Sequence, residues 1–474
     1  MQNNNIWSHR WTFILAAVGS AVGLGNLWKF PYITGEYGGG AFVLVYLVTI
    51  ALIGVPVFMA ESLLGRKSRK SPVDGVTKLA KENGATPLWG GVGIMGAFTG
   101  VLILSFYSVI AGWAIHYFIR FATGALVGID ADAAGAELGN LFASPVNLTI
   151  YHTLFMAATM FIIGLGVHKG LERGVNVLLP LLFVMLIVVA IYAGINGDFG
   201  AAASFLFSFE LSKLSLEGWL AALGHAFFTL SLGMGSIFVY GSYMSSESSL
   251  AKTAVTVAVL DTVVALIAGL AIFSLIFGNG LEASQGPGLL FVSLPLAFAE
   301  MPGSAFFGAF FMALVLFAAL SSSISILEPI VAFFVSKGVN RVLTTLVVGL
   351  FVWLVGMLTV FSFNVLAGFT PIGEWTMFDI FDKLTSNVTL PLGGVLLSLF
   401  AAWVLTKETL VAQIPNDTVR MIWIALARFV APLGVTFVML KALSVPMLWA
   451  LVAAVAFVAL VSVVQVKAGA ARQA

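Results

Sequence analysis

Oxygen-bearing side chains recur in this sequence at spacings that could bind cations inside an apolar chain. Ala318, Ser321 and Ser322 lie three and four residues apart, on one face of a helix, and Ser323 and Ser325 follow at once. One backbone carbonyl and two hydroxyls form an uncharged, all-oxygen ligand set. Such a set suits a hard monovalent cation, because a divalent ion calls for more carboxylates. A lone serine in a membrane helix tends to bond back to its own backbone. Four serines within five residues, set against a broken helix, point instead to a site. Asp261 stands in the run Val257-Ala258-Val259-Leu260-Asp261-Thr262-Val263-Val264 and is the only acid between Lys252 and Glu282. A carboxylate at that depth in a bilayer is costly and marks a function by default. With Asn26 and Thr229 it makes a second, charged oxygen set. His225, one turn before Thr229 on the same face, is placed to share or relay a proton near Asp261. Glu61 and Glu328, the other buried acids, are expected to pair with backbone freed where helices break.

The element that must position these groups is residues 19–31, GSAVGLGNLWKFP. Glycine loses the most backbone entropy on ordering and is a poor helix residue. Gly19, Gly23 and Gly25, within seven residues of a membrane-length apolar run, predict a helix that comes apart in mid-bilayer. Unwound backbone in lipid leaves polar groups that need partners. Cations can take the carbonyls, and an anionic group can take amides at a half-helix N-terminus. A second break is predicted at Ser231-Leu232-Gly233-Met234-Gly235.

The chain has 474 residues, 60% hydrophobic and 9% charged, and a mean hydropathy of +1.06. That leaves too little polar surface for a soluble domain. It reads as an all-α polytopic membrane protein. The absence of cysteine excludes disulfides and thiolate chemistry. Twelve transmembrane helices are predicted, near 11–34, 41–64, 89–121, 148–166, 174–195, 218–243, 253–279, 303–335, 341–362, 376–405, 419–440 and 445–466. The broken first and sixth helices each open a set of five. An odd set size turns the second set over, so the two sets are inverted repeats. Such a pair of interrupted helices points to a transporter site at the midplane. Residues 1–10 form an N-terminal segment, 11–217 and 218–405 the two repeats, and 406–474 two C-terminal helices and a tail. Outer residues 122–147 are a polar loop, and 280–302 are expected to form a helical hairpin over an outer vestibule.

Lys and Arg set the orientation. Arg66, Lys67, Arg69, Lys70, Lys78 and Lys81 fall between spans two and three. Lys169, Arg173, Lys252, Lys337, Arg341 and Lys407 fall on the same side, against Arg120, Lys213, Lys383 and Lys441 on the other. Both termini are therefore expected in the cytoplasm, with the chain in the plasma (inner) membrane. No Gly-x-Ser-x-Gly, paired catalytic aspartate or His-Glu-x-x-His motif supports an enzyme, and no repeated filter supports a channel. No nucleic-acid partner is expected. A non-transporting amino-acid sensor on a transporter fold is the remaining alternative.

At GSAVGLGNLWKFP, with Glu36, Gly38-Gly39-Gly40-Ala41-Phe42, Gly65-Arg66, Phe227-Phe228-Thr229-Leu230-Ser231-Leu232-Gly233, Tyr243, the serines of span eight and the Arg428/Pro432 region, the sequence resembles the neurotransmitter:sodium symporters. Within them it is similar to the bacterial amino-acid members. The resemblance implies two sodium ions as coupling partners. The first would be held by the Ala21 carbonyl, Asn26, Thr229, Asp261 and the substrate carboxylate. The second would be held by carbonyls of Gly19, Val22 and Ala318 and the hydroxyls of Ser321 and Ser322. The substrate carboxylate would meet the amides near Gly23–Gly25 and the Tyr107 hydroxyl, with Ser231 near the ammonium. Tyr107 and Phe228 would close over it, and Lys29 and Asp382 would form an outer gate. The side-chain pocket would be lined by Ser20, Ile103, Phe228, Met234, Ser325 and Ile326, which suits a hydrophobic or aromatic L-amino acid. Monoamine members carry an aspartate at the Gly23 position, so glycine implies a substrate that brings its own carboxylate.

The sequence departs from the family pattern at two places. The animal chloride site maps to Tyr46, His225, Thr229, Asp261 and Ala265, where Ala265 lacks the glutamate that replaces chloride in a bacterial member. Asp261 is expected to supply that charge, giving chloride independence and proton antiport on the empty return step. The Arg–Asp pair of the inner gate maps to Asn4 and Ser336, so both partners are missing, and Trp7 is expected to plug that side by packing.

Overall fold

The computed structural model describes residues 10–283, 286–442 and 446–473. Asn4 and Trp7, and with them the expectations placed on residues 1–9, lie outside the described residues. Every named element is helical, and an isolated bridge between Ile372 and Trp375 is the only β pairing among the described residues. The helices are α1 (Arg10–Ala21), α2 (Phe30–Glu36), α3 (Gly40–Ser68), α4 (Pro72–Glu82), α5 (Pro87–Ala122), α6 (Ala131–Ala143), α7 (Pro145–Gly164) and α8 (Val167–Asn196). They continue as α9 (Phe199–Phe207), α10 (Leu216–Thr229), α11 (Ser236–Tyr243), α12 (Leu250–Gly278), α13 (Ser293–Ala299), α14 (Ser304–Ser336), α15 (Arg341–Ser362), α16 (Met377–Val404), α17 (Lys407–Gln413), α18 (Asp417–Lys441) and α19 (Met447–Gln473).

Nine of these are single helices long and apolar enough to cross a membrane, among the described residues. The first span is a tenth, made of two pieces bent by 40° at a short break. α10 and α11 have 14 and 8 residues, and end to end they occupy the place of the sixth span. α19 occupies the place of the twelfth. The predicted polar loop 122–147 holds α6, whose N-cap Asp130 accepts from the Ala133 amide. The segment expected as a hairpin holds a 3-10 turn at Gly286–Leu289 and then α13. Its Phe291 packs on Trp113 and Tyr117 of α5.

The two breaks have different local causes. In the first, Val22 and Gly23 interrupt the helix, which resumes through Leu24 into a π-turn at Gly25–Lys29. Wide turns of this kind often sit at functional sites, and this one carries both Asn26 and Lys29. In the second, Ser231, Gly233 and Gly235 adopt φ values of 55°, 82° and 88°. Only glycine reaches that region cheaply, so Ser231 holds strained backbone at the centre of the molecule. Gly233 is also forced by space, since a Cβ there would lie 2.1 Å from the Leu390 carbonyl oxygen.

Buried acids steady the broken halves. Glu61 of α3 accepts a hydrogen bond from the freed Gly233 amide at 2.6 Å, the role expected for it. Glu328 departs from expectation. Its carboxylate pairs with the Arg341 guanidinium of α15 and accepts from Tyr243 Oη at 3.1 Å, not from freed backbone. The sequence concealed this partner because Arg341 looks like one more basic residue at a span end. Glu328 is fully buried, so Arg341→Met will strand it. The expected cost is about 3–5 kcal/mol, read as a lower thermal unfolding midpoint in detergent. Glu328→Gln combined with Arg341→Met is expected to recover most of it.

Candidate cation and substrate site

The carbonyls of the first break meet the serine face of α14. Ser322 Oγ lies 3.3, 3.2 and 3.2 Å from the carbonyl oxygens of Gly19, Ser20 and Val22. Ser321 Oγ donates to the Ala318 carbonyl at 2.9 Å and lies 3.5 Å from that of Val22. The five groups expected at one sodium position, Gly19, Val22, Ala318, Ser321 and Ser322, thus converge. With Ser231 Oγ donating to the Ser20 carbonyl, three hydroxyl protons serve four carbonyls here, so lone pairs outnumber hydrogens. That donor set fits a monovalent cation, which would use the surplus lone pairs.

The charged set assembles around Asp261 of α12. Its Oδ1 accepts from Asn26 Nδ2 at 2.7 Å and lies 2.9 Å from Thr229 Oγ1. Oδ2 lies 3.0 Å from Thr229 Oγ1 and 3.3 Å from Tyr46 Oη. Asn26 Oδ1 accepts in turn from the Gly23 amide at 3.0 Å, tying this cluster to the break. Asp261 is fully buried, and no basic side chain is among these partners, so the group has the charge and the oxygens to hold a cation. Ala265 is buried. His225 departs from expectation. Its ring packs against Phe30 and Tyr46, and neither ring nitrogen has a hydrogen-bond partner among the described residues. It makes no hydrogen bond to Asp261.

Between the two polar clusters lies a small cavity. Ser20, Gly23, Gly25, Ile103, Tyr107, Phe228, Ser231, Met234 and Ile326 line it, together with Ala21 and Ser322. Tyr107 Oη accepts from the Leu24 amide at 3.1 Å, so the hydroxyl expected to meet a carboxylate stands at the start of a half-helix. Ser231 Oγ donates to the Ser20 carbonyl at 2.7 Å and cross-links the two breaks. Ser325 is set back from the cavity, with its hydroxyl 2.8 Å from Ser20 Oγ and donating to the Ser322 carbonyl at 2.7 Å. Ser236, which sequence reasoning missed, donates to the Ser325 carbonyl at 2.8 Å from the first turn of α11. Its signal would have been a hydroxyl just after Gly235, at a helix start.

Above the cavity, Lys29 Nζ lies 2.5 Å from Asp382 Oδ1 and 2.9 Å from Ser386 Oγ. The ammonium also stands 4.7 Å from the Phe228 ring centre, a favourable cation–π distance. A π-turn at Thr385–Thr389 carries Ser386, opposite the π-turn that carries Lys29.

Interrupted spans whose freed carbonyls and amides face a mostly apolar cavity, beside buried clusters of hydroxyls and a carboxylate, are the arrangement of a secondary transporter. The profile of the Sodium:neurotransmitter symporter family matches residues 4–130 and 137–457. The chain belongs to that family. It is 37% identical over 448 residues to an uncharacterized sodium-dependent transporter of Bacillus subtilis (strain 168), YhdH, covering 93% of this chain and 98% of the relative. It is 33% identical over 443 residues to an uncharacterized sodium-dependent transporter of Haemophilus influenzae, covering 90% of this chain and 95% of the relative. The crystal structure of MhsT in complex with L-phenylalanine is similar at 43% identity and a TM-score of 0.87, covering 93% of this chain and all of that one. The protein is therefore a multi-pass, sodium-dependent membrane transporter and not an enzyme.

Proposed function

We propose that this protein imports a hydrophobic or aromatic L-amino acid with two sodium ions, by alternating access. The observation that carries the reading is the cavity itself, a small and mostly apolar chamber between two oxygen clusters. Its polar end offers the Leu24 amide region and the Tyr107 hydroxyl to a carboxylate. Its other wall, with Ile103, Met234 and Ile326, offers apolar surface to a side chain. The L-phenylalanine bound to the similar MhsT supports the substrate class.

In this reading one sodium ion binds Asn26, Thr229, Asp261, the Ala21 carbonyl and the substrate carboxylate. The other binds Gly19, Val22, Ala318, Ser321 and Ser322. Each ion takes carbonyls that unwinding has freed, so sodium orders the breaks and completes the pocket. The shared carboxylate makes the coupling direct. Tyr107 and Phe228 then cover the substrate, and Lys29 with Asp382 closes the outer side. Asp261 carries the negative charge that chloride supplies in animal members, and it takes up a proton on the empty return. Residues 11–217 and 218–405 act as the two inverted repeats, residues 406–474 follow as the C-terminal helices and tail, and both termini face the cytoplasm of a plasma (inner) membrane.

The test is uptake of radiolabelled L-phenylalanine, L-leucine and L-tryptophan into proteoliposomes under a sodium gradient, with potassium replacing sodium as the control. Sodium-dependent accumulation of at least one, unchanged when gluconate replaces chloride, is the expected result. Sodium-dependent binding without accumulation would make the protein a sensor. Chloride-stimulated uptake at fixed sodium would overturn the role given to Asp261.

A further inference from the structure

The position expected to carry the acid of the inner gate is Ser336, at the end of α14, yet an acid is present beside it. Asp74 of α4 places Oδ1 2.8 Å from Lys337 Nζ. Its Oδ2 accepts from Ser336 Oγ at 3.2 Å and from Ser71 Oγ at 3.3 Å. Burial alone would raise the Asp74 carboxyl, but Lys337 and the Ser336 and Ser71 hydroxyls outweigh it and hold the group below the usual carboxylate range. The acid therefore stays charged at neutral pH.

The two helices joined by this pair serve different parts of the site. α14 carries Ala318, Ser321 and Ser322. α4 presses on α11, the second half of the broken sixth span. A Cβ built on Gly235 would lie 2.8 Å from Pro72 Cγ, and one built on Gly75 would lie 2.8 Å from Phe238 Cζ. α4 is thus wedged under the second break and tied by one ion pair to the helix of the serine cluster. The tie lies on the face that the basic residues make cytoplasmic. Relative to the pattern expected at Asn4 and Ser336, the base has moved onto α14 and the acid onto α4.

We propose that Asp74, Lys337 and Ser336 form a cytoplasmic latch that couples α11 to α14 and favours closure of the inner pathway in the sodium-bound protein. The inference rests on the alternating-access reading above. Opening to the cytoplasm requires α11 to shift relative to α14, and α4 transmits that shift to the pair. With side-chain exposures of 23% for Asp74 and 52% for Lys337, the pair is partly screened, which suits a contact that must open every cycle.

The absence of cysteine allows a single reporter. Ser242→Cys places a thiol in the last turn of α11, at a residue only 9% exposed. Its alkylation by a maleimide added to the cytoplasmic face reports opening, and it needs no transport. Asp74→Asn and Lys337→Gln are each expected to speed labelling in sodium by roughly two- to fivefold, the scale of an exposed ion pair. They should leave the rate in potassium nearly unchanged. Asp74→Lys combined with Lys337→Asp should return the sodium rate toward that of the parent, and Lys81→Gln, which removes an exposed charge elsewhere on α4, should not alter it. Rates unchanged in both single variants would overturn the latch. So would equal acceleration in sodium and potassium, which would mean a merely structural role. Failure of sodium-driven uptake alongside the expected labelling pattern would sink the symport reading and leave the latch standing.

Discussion

Asp261→Asn is expected to abolish uptake at ordinary sodium concentrations. Asp261 gathers Asn26, Thr229 and Tyr46 around one buried carboxylate. Asparagine keeps the size and one acceptor oxygen but loses the charge, in a place where water cannot replace it. Hydrogen bonds and contacts to a buried charge are worth about 2–3 kcal/mol, and the apparent sodium affinity should fall by roughly 30- to 150-fold. The amide also presents a second donor where Asn26 Nδ2 and the Thr229 hydroxyl already donate, so the cluster must rearrange. Titrating sodium against bound radiolabelled substrate in detergent measures this without requiring transport. Sodium dependence equal to the parent would remove Asp261 from the cation site and leave the serine cluster as the only candidate.

Gly23→Ala is expected to weaken sodium-dependent substrate binding at least tenfold. A Cβ at Gly23 would lie 2.3 Å from Ser322 Oγ, 3.0 Å from Ser322 Cβ and 2.7 Å from Tyr107 Oη. One methyl group therefore strikes both halves of the mechanism. The Ser322 hydroxyl must turn away from the carbonyls of Gly19, Ser20 and Val22, and the Tyr107 hydroxyl must leave the Leu24 amide. Overpacking of this kind costs about 1–3 kcal/mol, enough to disturb the site while the helices still fold. Binding of L-phenylalanine should fall by at least tenfold, while the thermal unfolding midpoint measured in potassium shifts little. Ser322→Ala in the Gly23→Ala background removes the worst contact without restoring the hydroxyl. It should relieve any loss of stability but not recover binding. Binding regained in that double variant would show that Ser322 is no ligand.

Much of the site was legible because its physics is local. Glycines in an apolar run predict a break, and the structure interrupts the helix at Val22 and Gly23. Serines at offsets of three and four predict a polar face, and Ser321 and Ser322 present one. A lone aspartate in an apolar helix has to find polar partners, and Asn26 and Thr229 could be named as candidates. The roles given to Tyr107, Lys29 and Asp382 came from resemblance to a family, and the structure places Lys29 against Asp382 and Tyr107 against the Leu24 amide.

The pairings that sequence reasoning missed all depend on how separate helices meet. Glu328 and Arg341 are close in sequence, but their pairing depends on the turn between α14 and α15. Asp74 and Lys337 are far apart in sequence, and only the packing of α4 beneath the second break brings them together. His225 was placed beside Asp261 by helical spacing. Packing turned its ring instead between Phe30 and Tyr46.

By itself, the sequence determined that this is a helical membrane protein with two interrupted spans and oxygen ligands near them, because hydropathy, glycine entropy and the cost of a buried charge act on each stretch independently. Which acid meets which base, which hydroxyl faces the cavity and how the cytoplasmic side is tied were decided only by the tertiary structure. Those choices turn on ångström distances between helices, which no single stretch encodes.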